Sequence, residues 1–432
     1  MPVNPPAANA ALAATAPKRL VLCLDGTWSN PFKRKEREDG TQVYKPSNPL
    51  KLCRSVAPLD ERDHRHQVVY YGIGVGAQGL YPGVSNRLLR FVDSKLGGAW
   101  GAGFERNVED ALTFLVNNYR PGDQLFLFGY SRGAAQARAL TRFLDWLGGI
   151  PAKRDAYWLP HLYRRYIVSS GTAEARPTLA RIESKLQSPM MPVRIDLLGV
   201  WDTVMALGSR FRARRARGTS VRERSFHIGG EPASCVLHAR QALAIDEDRY
   251  DFRPEVWRDR HDHQTLVQRW FPGSHGNVGG SLVQDGLANI SLRWMLGEAA
   301  ALGLATDEQY TKFYRGHPQA KLVPSRTVGY RMIEAARLRF GAGERVLDGY
   351  PERAALGLDK SAIHRLAADP GEHPDLELYR PRNLLAHLAR QPDLDTYLAS
   401  LGLPSEQRRL PADVLEAIAR LGDSHRATPA TT

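Results

Sequence analysis

The chain has 432 residues, 43% of them apolar, and a formal net charge of +13 at pH 7. That length exceeds most single hydrophobic cores, so one large domain with insertions, or two domains, is expected. The composition is that of a globular protein, no run of eighteen apolar residues offers a membrane span, and three widely spaced cysteines (Cys23, Cys53, Cys235) point to reduced thiols, not a disulfide framework.

Residues 1–17 are rich in alanine and proline, with no basic start ahead of an apolar core. They read as a disordered leader and not as a secretory signal, which implies synthesis in the cytoplasm. Leu20–Leu24 is a short apolar run that predicts a strand buried on both faces, with Cys23 as a small core residue. It ends at the turn Asp25-Gly26-Thr27-Trp28, before a lysine-rich surface loop over 29–41. Gln67–Tyr71 predicts a second strand, closed by Gly72-Ile73-Gly74-Val75-Gly76. Val108, Ala111, Leu112, Leu115, Val116 and Tyr119 recur at helical spacing ahead of Pro121.

Next come an apolar strand, Leu125–Phe128, then Gly129-Tyr130-Ser131-Arg132-Gly133, then a helix-forming run from Ala134 to Leu147 closed by two glycines. Strand, G-x-S-x-G and helix in that order are the context of a nucleophile elbow, a sharp turn that presents a serine at the rim of a sheet. The pentapeptide alone is a weak signal; its flanks carry the claim. Ile195–Val200 and Thr265–Phe271 predict two further strands, ending at Trp201-Asp202-Thr203 and Pro272-Gly273-Ser274-His275-Gly276, and a helix is expected over Leu287–Ala301. The arginine-rich stretches 141–192 and 203–262 read as helical insertions over the rim. We divide the chain into the leader 1–17, a catalytic domain 18–385, a small helical appendage 386–422 and a disordered tail 423–432.

Strands alternating with helices predict an α/β fold of the α/β-hydrolase kind: a mostly parallel sheet with helices on both faces and helical insertions. In such sheets ligands bind beyond the carboxyl ends of the strands, which is where each polar motif falls. An activated serine needs a base and a carboxylate to orient it, here in the chain order Ser131, Asp202, His275. Each partner has a plainer reading: Asp202 as a helix cap, His275 as a loop histidine bonded to backbone. The oxyanion donors would be the amides of Arg132 and Thr27, with Gly26 allowing close approach, and Asp25, Trp28, Tyr130 and Trp201 would line the pocket. Asp25 reads as a loop organiser. His227, His238 and His261 are rival bases, none of them just past a clear strand. His261 and His263 could share a face toward a metal, but no third ligand stands near, so neither metal nor cofactor is expected.

The positive charge is densest at Arg210, Arg212, Arg214, Arg215 and Arg217, followed by Arg222 and Arg224. A solvated basic face is the plain reading; peripheral contact with an anionic membrane is the functional one. No recognisable nucleic-acid motif accompanies the charge, so no nucleic acid is expected. A competing view of the whole chain is an idle hydrolase-like module that binds an acidic partner or membrane through its arginines.

The segments LVLCLDGTWSN, YYGIGVGA, PGDQLFLFGYSRGAAQAR, LLGVWDTV, HARQALAIDEDR, WFPGSHGNVGGSLVQDGLANISLRWM and the late YRPRNLL, taken in order, resemble the catalytic domain of type VI secretion phospholipase effectors over roughly residues 18–385. The resemblance implies a Ser-Asp-His triad at Ser131, Asp202 and His275, esterase chemistry with phospholipid as the leading substrate, export through a specialised secretion system, and a secretion-system or immunity protein as partner. Where the family pattern resembles H-x-D-V-G-G-G-Y, this chain has Asn277 for the aspartate and Ser281 for the third glycine.

Overall fold

The computed structural model describes residues 16–32, 34–37, 39–76, 98–169, 184, 186–204, 228–326, 330–331, 343–372 and 377–426. At its centre is an eight-stranded sheet built from β1 (Arg19–Leu24), β4 (Leu59–Asp60), β5 (Arg65–Gly72), β6 (Gln124–Tyr130), β7 (Ile195–Trp201), β8 (Val236–Ala244), β9 (Thr265–Phe271) and β10 (Leu356–Leu358), in the spatial order β10-β9-β8-β7-β6-β1-β5-β4. Every neighbouring pair is parallel except β4 against β5. The lysine-rich stretch forms an exposed two-stranded hairpin, β2 (Arg34–Glu36) against β3 (Gln42–Tyr44).

Both faces of the sheet are covered, which explains the unbroken apolar strands. In β1, Leu20, Leu22 and Leu24 join one core while Val21 and Cys23 join the other. In β6, Leu125 and Leu127 point to the first face, and Phe126, Phe128 and Tyr130 to the second. The first core is closed by α2 (Gly98–Asn118), α3 (Arg132–Leu147) and α4 (Leu159–Ser169). The second is closed by α1 (Asn48–Ser55) and α6 (Gly286–Ala301), through Leu52, Leu292, Met295 and Ala299. Each of these fully buried leucine, valine, phenylalanine or methionine side chains contributes about 1.5–3 kcal/mol of transfer free energy.

A strand occupies part of the stretch expected to be helical insertion. Residues 236–244 form β8, between β7 and β9. Its sequence, VLHARQALA, holds good helix formers and three polar side chains. The sheet wins because those side chains find partners: Gln241 donates to Gln268 Oε1 at 2.8 Å, and Arg240 donates to Glu298 at 2.5 Å and to the Thr265 carbonyl at 3.2 Å.

A third core lies at the β9–β10 edge. Trp270, Leu243 and Ile245 pack there with Leu347, Leu358 and residues of α7 (Lys360–Ala367), α8 (Arg382–Ala389), α9 (Leu394–Ser400) and α10 (Ala412–Arg426). The run of helices α8 to α10, from Arg382 to Arg426, covers the stretch expected to be a helical appendage and enters the expected tail. It shares its core with the strand ends that hold the site. The arginine cluster 210–224, His227, residues 1–15 and 427–432 lie outside the described residues. Among the described residues no helix is long and apolar enough to cross a membrane.

Candidate active site

The parallel register brings one end of each central strand to the same level: Leu24 lies opposite Gly72 and Gly129, Tyr130 opposite Trp201, and Trp201 opposite Ala242. The ladder continues one residue further. Ser131 N donates to the Trp201 carbonyl at 2.9 Å, Asp202 N to Ala242 at 2.7 Å, and Asp25 N to Gly72 at 3.0 Å. Three polar side chains are thereby tied to one rim.

Ser131 sits between β6 and α3 with φ 58° and ψ −117°, a conformation an L-residue holds only when its surroundings over-determine it. The flanking glycines supply that constraint. A Cβ on Gly129 would stand 2.4 Å from the Gly133 carbonyl oxygen, and one on Gly133 would stand 2.2 Å from that of Leu24. Only bare backbone lets the helix start come down onto β1.

Ser131 and His275 are bonded at 2.9 Å through Oγ and Nε2, and His275 Nδ1 meets Asp202 Oδ2 at 2.6 Å. Ser131 and His275 are each 6% exposed and Asp202 is fully buried. The imidazole lies between the Tyr130 ring, with centroids 4.8 Å apart, and the edge of Phe252, at 5.2 Å. Tyr130 also donates to the His275 carbonyl at 3.2 Å. The ring of Tyr130 fits there because residue 279 is glycine: a Cβ would come within 1.8 Å of it. His275 opens the short helix α5 (His275–Gly279), which is capped by Ser274 and Asn277. Asn277 Oδ1 accepts from Ser274 Oγ at 3.0 Å and from Val323 N at 3.1 Å, so the amide that stands where the family pattern has an aspartate fills a capping role. Ser281, in the place of the pattern's third glycine, takes φ 73°.

Charge is concentrated on the acid's side. Arg345 grips Asp202 with both terminal nitrogens, Nη1 to Oδ1 at 2.5 Å and Nη2 to Oδ2 at 2.9 Å. Burial alone would push the Asp202 carboxyl up, but the Arg345 charge and the hydrogen bond from His275 outweigh it and hold the group well below the usual carboxylate range. Glu247, also buried, accepts from His275 N at 3.2 Å and from Ser325 Oγ at 2.5 Å, and pairs with Arg249 through both its oxygens. Burial raises the Glu247 carboxyl; its bond to Arg249 and the charges of Arg249, Arg345 and His275 bring it below the ordinary value. The Arg249 guanidinium lies 3.4 Å over the Phe252 ring.

The other expected site residues divide. The loop 25–28 reaches the nucleophile: a Cβ on Gly26 would be 3.3 Å from Ser131 Cβ. The loop is laced to the turn after β5 by Trp28 N to the Val75 carbonyl (3.1 Å) and Gly74 N to that of Ser29 (3.0 Å). Asp25 is buried and turned toward Ser47 and Tyr71, each donating to its Oδ2 at 2.5 Å, while Oδ1 accepts from Gly26 N. These bonds make it the organiser of the loop. The Thr27 hydroxyl is buried without a partner among the described residues. Trp28 takes φ 60° in this loop, and a Cβ on Gly76 would stand 3.0 Å from its ring. Arg132 opens α3, where the first amides of a helix have no intrahelical acceptor. Trp201, expected to line the pocket, is wholly buried against Phe128 and serves the core.

The rival histidines have other employment. His238 lies within β8 and bonds Thr265 Oγ1 at 2.7 Å. His261 and His263 stack with centroids 5.7 Å apart, and His263 meets the Ser234 carbonyl at 2.9 Å. No group of three or more potential metal ligands occurs among the described residues. Arg345, Glu247, Arg249 and Phe252 were not identified from sequence. HARQALAIDEDR pointed to the neighbourhood of the second and third without giving either a role, and nothing local marks Arg345.

The model of the family described as "T6SS, Phospholipase effector Tle1-like, catalytic domain" matches residues 18–298. An uncharacterized protein of Saccharomyces cerevisiae, YEL023C, is 26% identical over 254 residues, which are 57% of this chain and 33% of that protein. The chain thus spans about a third of the curated relative it matches. Among solved structures, an uncharacterized protein from Pseudomonas aeruginosa aligns over 97% of this chain and 64% of its own, at 16% identity and a TM-score of 0.40. The Tle1 effector bound to the VgrG spike of the type 6 secretion system aligns over 79% and 83%, at 14% identity and a TM-score of 0.40. On the match across residues 18–298, this chain belongs to the Tle1-like family of type VI secretion phospholipase effector catalytic domains.

Proposed function

We propose that the chain is a serine esterase of lipase or phospholipase type that cleaves acyl esters through a covalent acyl-enzyme. The observation that supports this best is the unbroken hydrogen-bonded series from Ser131 Oγ through His275 to Asp202, with the serine held at positive φ on a strand-to-helix turn. Ser131 Oγ attacks the ester carbonyl as His275 Nε2 takes its proton. Asp202 fixes the ring and stabilises the imidazolium. The Thr27 and Arg132 amides receive the oxyanion, beside a helix N-terminus that favours negative charge. His275 then gives its proton to the leaving alcohol, and water, activated by the same base, frees the acid and restores the serine. No step requires a cofactor.

Family membership supports phospholipid as the ester, export through a secretion system, and a secretion-system protein as partner; an immunity protein is a further partner we propose. The arginines at 210–224 suit transient contact with an anionic bilayer. The test compares the full chain with Ser131→Ala on a p-nitrophenyl ester, on phosphatidylglycerol vesicles and with a fluorophosphonate probe. The variant should stay folded, lose labelling, and lose kcat by a factor on the order of 10⁴ to 10⁶. Unchanged turnover would remove the reading. A wild-type chain that neither labels nor turns over ester would support the idle-module view instead.

A further inference from the structure

Asp202 has more partners than the task of orienting one imidazole requires. Oδ2 meets His275 Nδ1 at 2.6 Å and Arg345 Nη2 at 2.9 Å; Oδ1 accepts Arg345 Nη1 at 2.5 Å and the Ala244 amide at 3.1 Å. The pair is sealed from water, with the carboxylate 0% and the guanidinium 1% exposed. A guanidinium fork fixes a carboxylate in its own plane, which a single-point contact with lysine would not do. It also supplies the counter-charge without which a fully buried carboxyl takes up a proton.

The arginine is itself fixed. Nη2 donates to the Phe252 carbonyl at 2.7 Å. Its own carbonyl accepts from Asn383 Nδ2 at 3.1 Å, and the same amide group donates to the Ile245 carbonyl at 3.0 Å, just past β8. Gly343 N donates to the Asp248 carbonyl at 2.7 Å, and Leu347 is buried in the third core. Tyr379 ties the same region to the base by donating to Asp246, whose Oδ2 accepts from Gly273 N at 2.6 Å. Arg345, Tyr379 and Asn383 all lie beyond residue 298, where the family match ends.

We infer that Arg345 is a positioning residue for the proposed esterase reaction: it keeps Asp202 ionised and turned toward His275 Nδ1, and Arg345, with the Asn383 and Tyr379 contacts that hold its neighbourhood, thereby supports the catalytic centre. The inference rests on the serine-esterase reading. Among the described residues, the other charged or titratable groups around this pair are Tyr130 from β6, Glu247 and Arg249 from the turn after β8, and Tyr350 from the segment that carries Arg345. None of them touches the Asp202 oxygens among the described residues, so the acid depends on Arg345 for its counter-charge. A cation on the acid also weakens its pull on an imidazolium. The inference therefore has an opposite that can be measured, in which Arg345 restrains the reaction and its removal speeds it.

The test takes the full chain as wild type, Arg345→Lys, Arg345→Met and Ser131→Ala, with p-nitrophenyl butyrate as substrate across about pH 5 to 9. Arg345→Met should lower kcat by about 10²-fold with KM within about twofold, since orientation is lost and not substrate contact. The acidic limb of its kcat profile should move to higher pH, because a buried Asp202 without its cation protonates more readily. Arg345→Lys should return the limb toward the wild-type position and recover only part of kcat, because the charge is restored and the fork is not. If Arg345→Met does not fold, the lysine variant decides alone: wild-type kcat with an unmoved limb overturns the inference. Faster turnover in either variant overturns it too. Should Arg345 variants match wild type while Ser131→Ala is dead, the esterase reading stands and this inference falls. Should Ser131→Ala remain active, both fall.

Discussion

On the β1–β6 side of the site, Ser131 is held by backbone against backbone; on the β7–β9 side, where Asp202 is also at positive φ and bonded to β8 main chain, the charged side chains of Asp202 and His275 are held chiefly by long side chains that reach across from elsewhere. A Cβ at Gly133 would stand 2.2 Å from the Leu24 carbonyl oxygen, and one at Gly74 would stand 1.8 Å from that of Gly26. Nothing there has a side chain that can swing aside. Around Asp202 and His275 the constraints are instead Arg345, Glu247, Arg249 and the rings of Tyr130 and Phe252. The contrast follows from what each group must do. A nucleophile must be forced into a conformation the backbone resists, and only close-packed main chain does that cheaply. An acid and a base must keep a charge and an orientation, which charge-assisted hydrogen bonds from flexible side chains provide.

Breaking the rigid side should cost most. Gly133→Ala places a methyl group against two main-chain oxygens, of Leu24 and Asp25, and neither can move without shifting β1. We expect a loss of about 3 kcal/mol or more in urea unfolding, together with slower fluorophosphonate labelling. Gly297→Ala is the control. That position lies on α6 with open space around its Cβ, so the variant should gain about 0.5–1 kcal/mol. An equal gain at the two positions would show that helix propensity, and not contact with β1, governs residue 133.

The same contrast explains what the sequence discloses. The rigid side is local: strand, tight glycines and helix are contiguous, so Leu125–Phe128 and Ala134–Leu147 identify the elements later bounded as Gln124–Tyr130 and Arg132–Leu147. Thr265–Phe271 is read without error because a charged, polar stretch precedes it and Pro272-Gly273 closes it. The charged side is not local. Arg345 lies 143 residues from Asp202, and one arginine among 59 basic residues carries no mark of its partner. β8 escaped notice for a related reason: its Arg240 and Gln241 suit a buried strand only once Glu298 and Gln268 arrive from other elements. Trp201 belongs to the second core, and adjacency to Asp202 in the chain says nothing of which face of β7 it occupies.

The charged side should show its character in pH dependence. Asp246 is partly buried, and desolvation raises its carboxyl to about 6, against the opposing bonds from Gly273 N and Tyr379 and the charge of Arg365. A carboxyl that binds its proton more tightly when folded costs stability as pH rises from the unfolded value, near 4, through about 6. Above that range the cost is complete, at about 3 kcal/mol for a shift of this size. Asp246→Asn removes the charge and keeps an acceptor for Gly273 N. It should therefore be more stable than wild type at neutral pH, by up to about 3 kcal/mol, and equal to it near pH 4, as read by urea unfolding at both. A variant less stable by the same amount at both pH values would mean that the Asp246 contacts, not its ionisation, dominate.

The smallest effect is expected at Ser281, on the loop that follows the base. Its φ of 73° strains an L-residue, and its amide reaches the Pro46 carbonyl only at 3.4 Å. Glycine relaxes the conformation but adds freedom to the unfolded chain, and the two terms nearly offset, leaving a gain of about 0.5 kcal/mol for Ser281→Gly. Turnover should stay within about twofold of wild type, because His275 is positioned by Asp202, Glu247 and Tyr130 rather than by the conformation of residue 281. A fall of tenfold or more in kcat, with the fold intact, would show that the base depends on its backbone as closely as Ser131 does. The two sides would then differ in chemistry but not in tolerance.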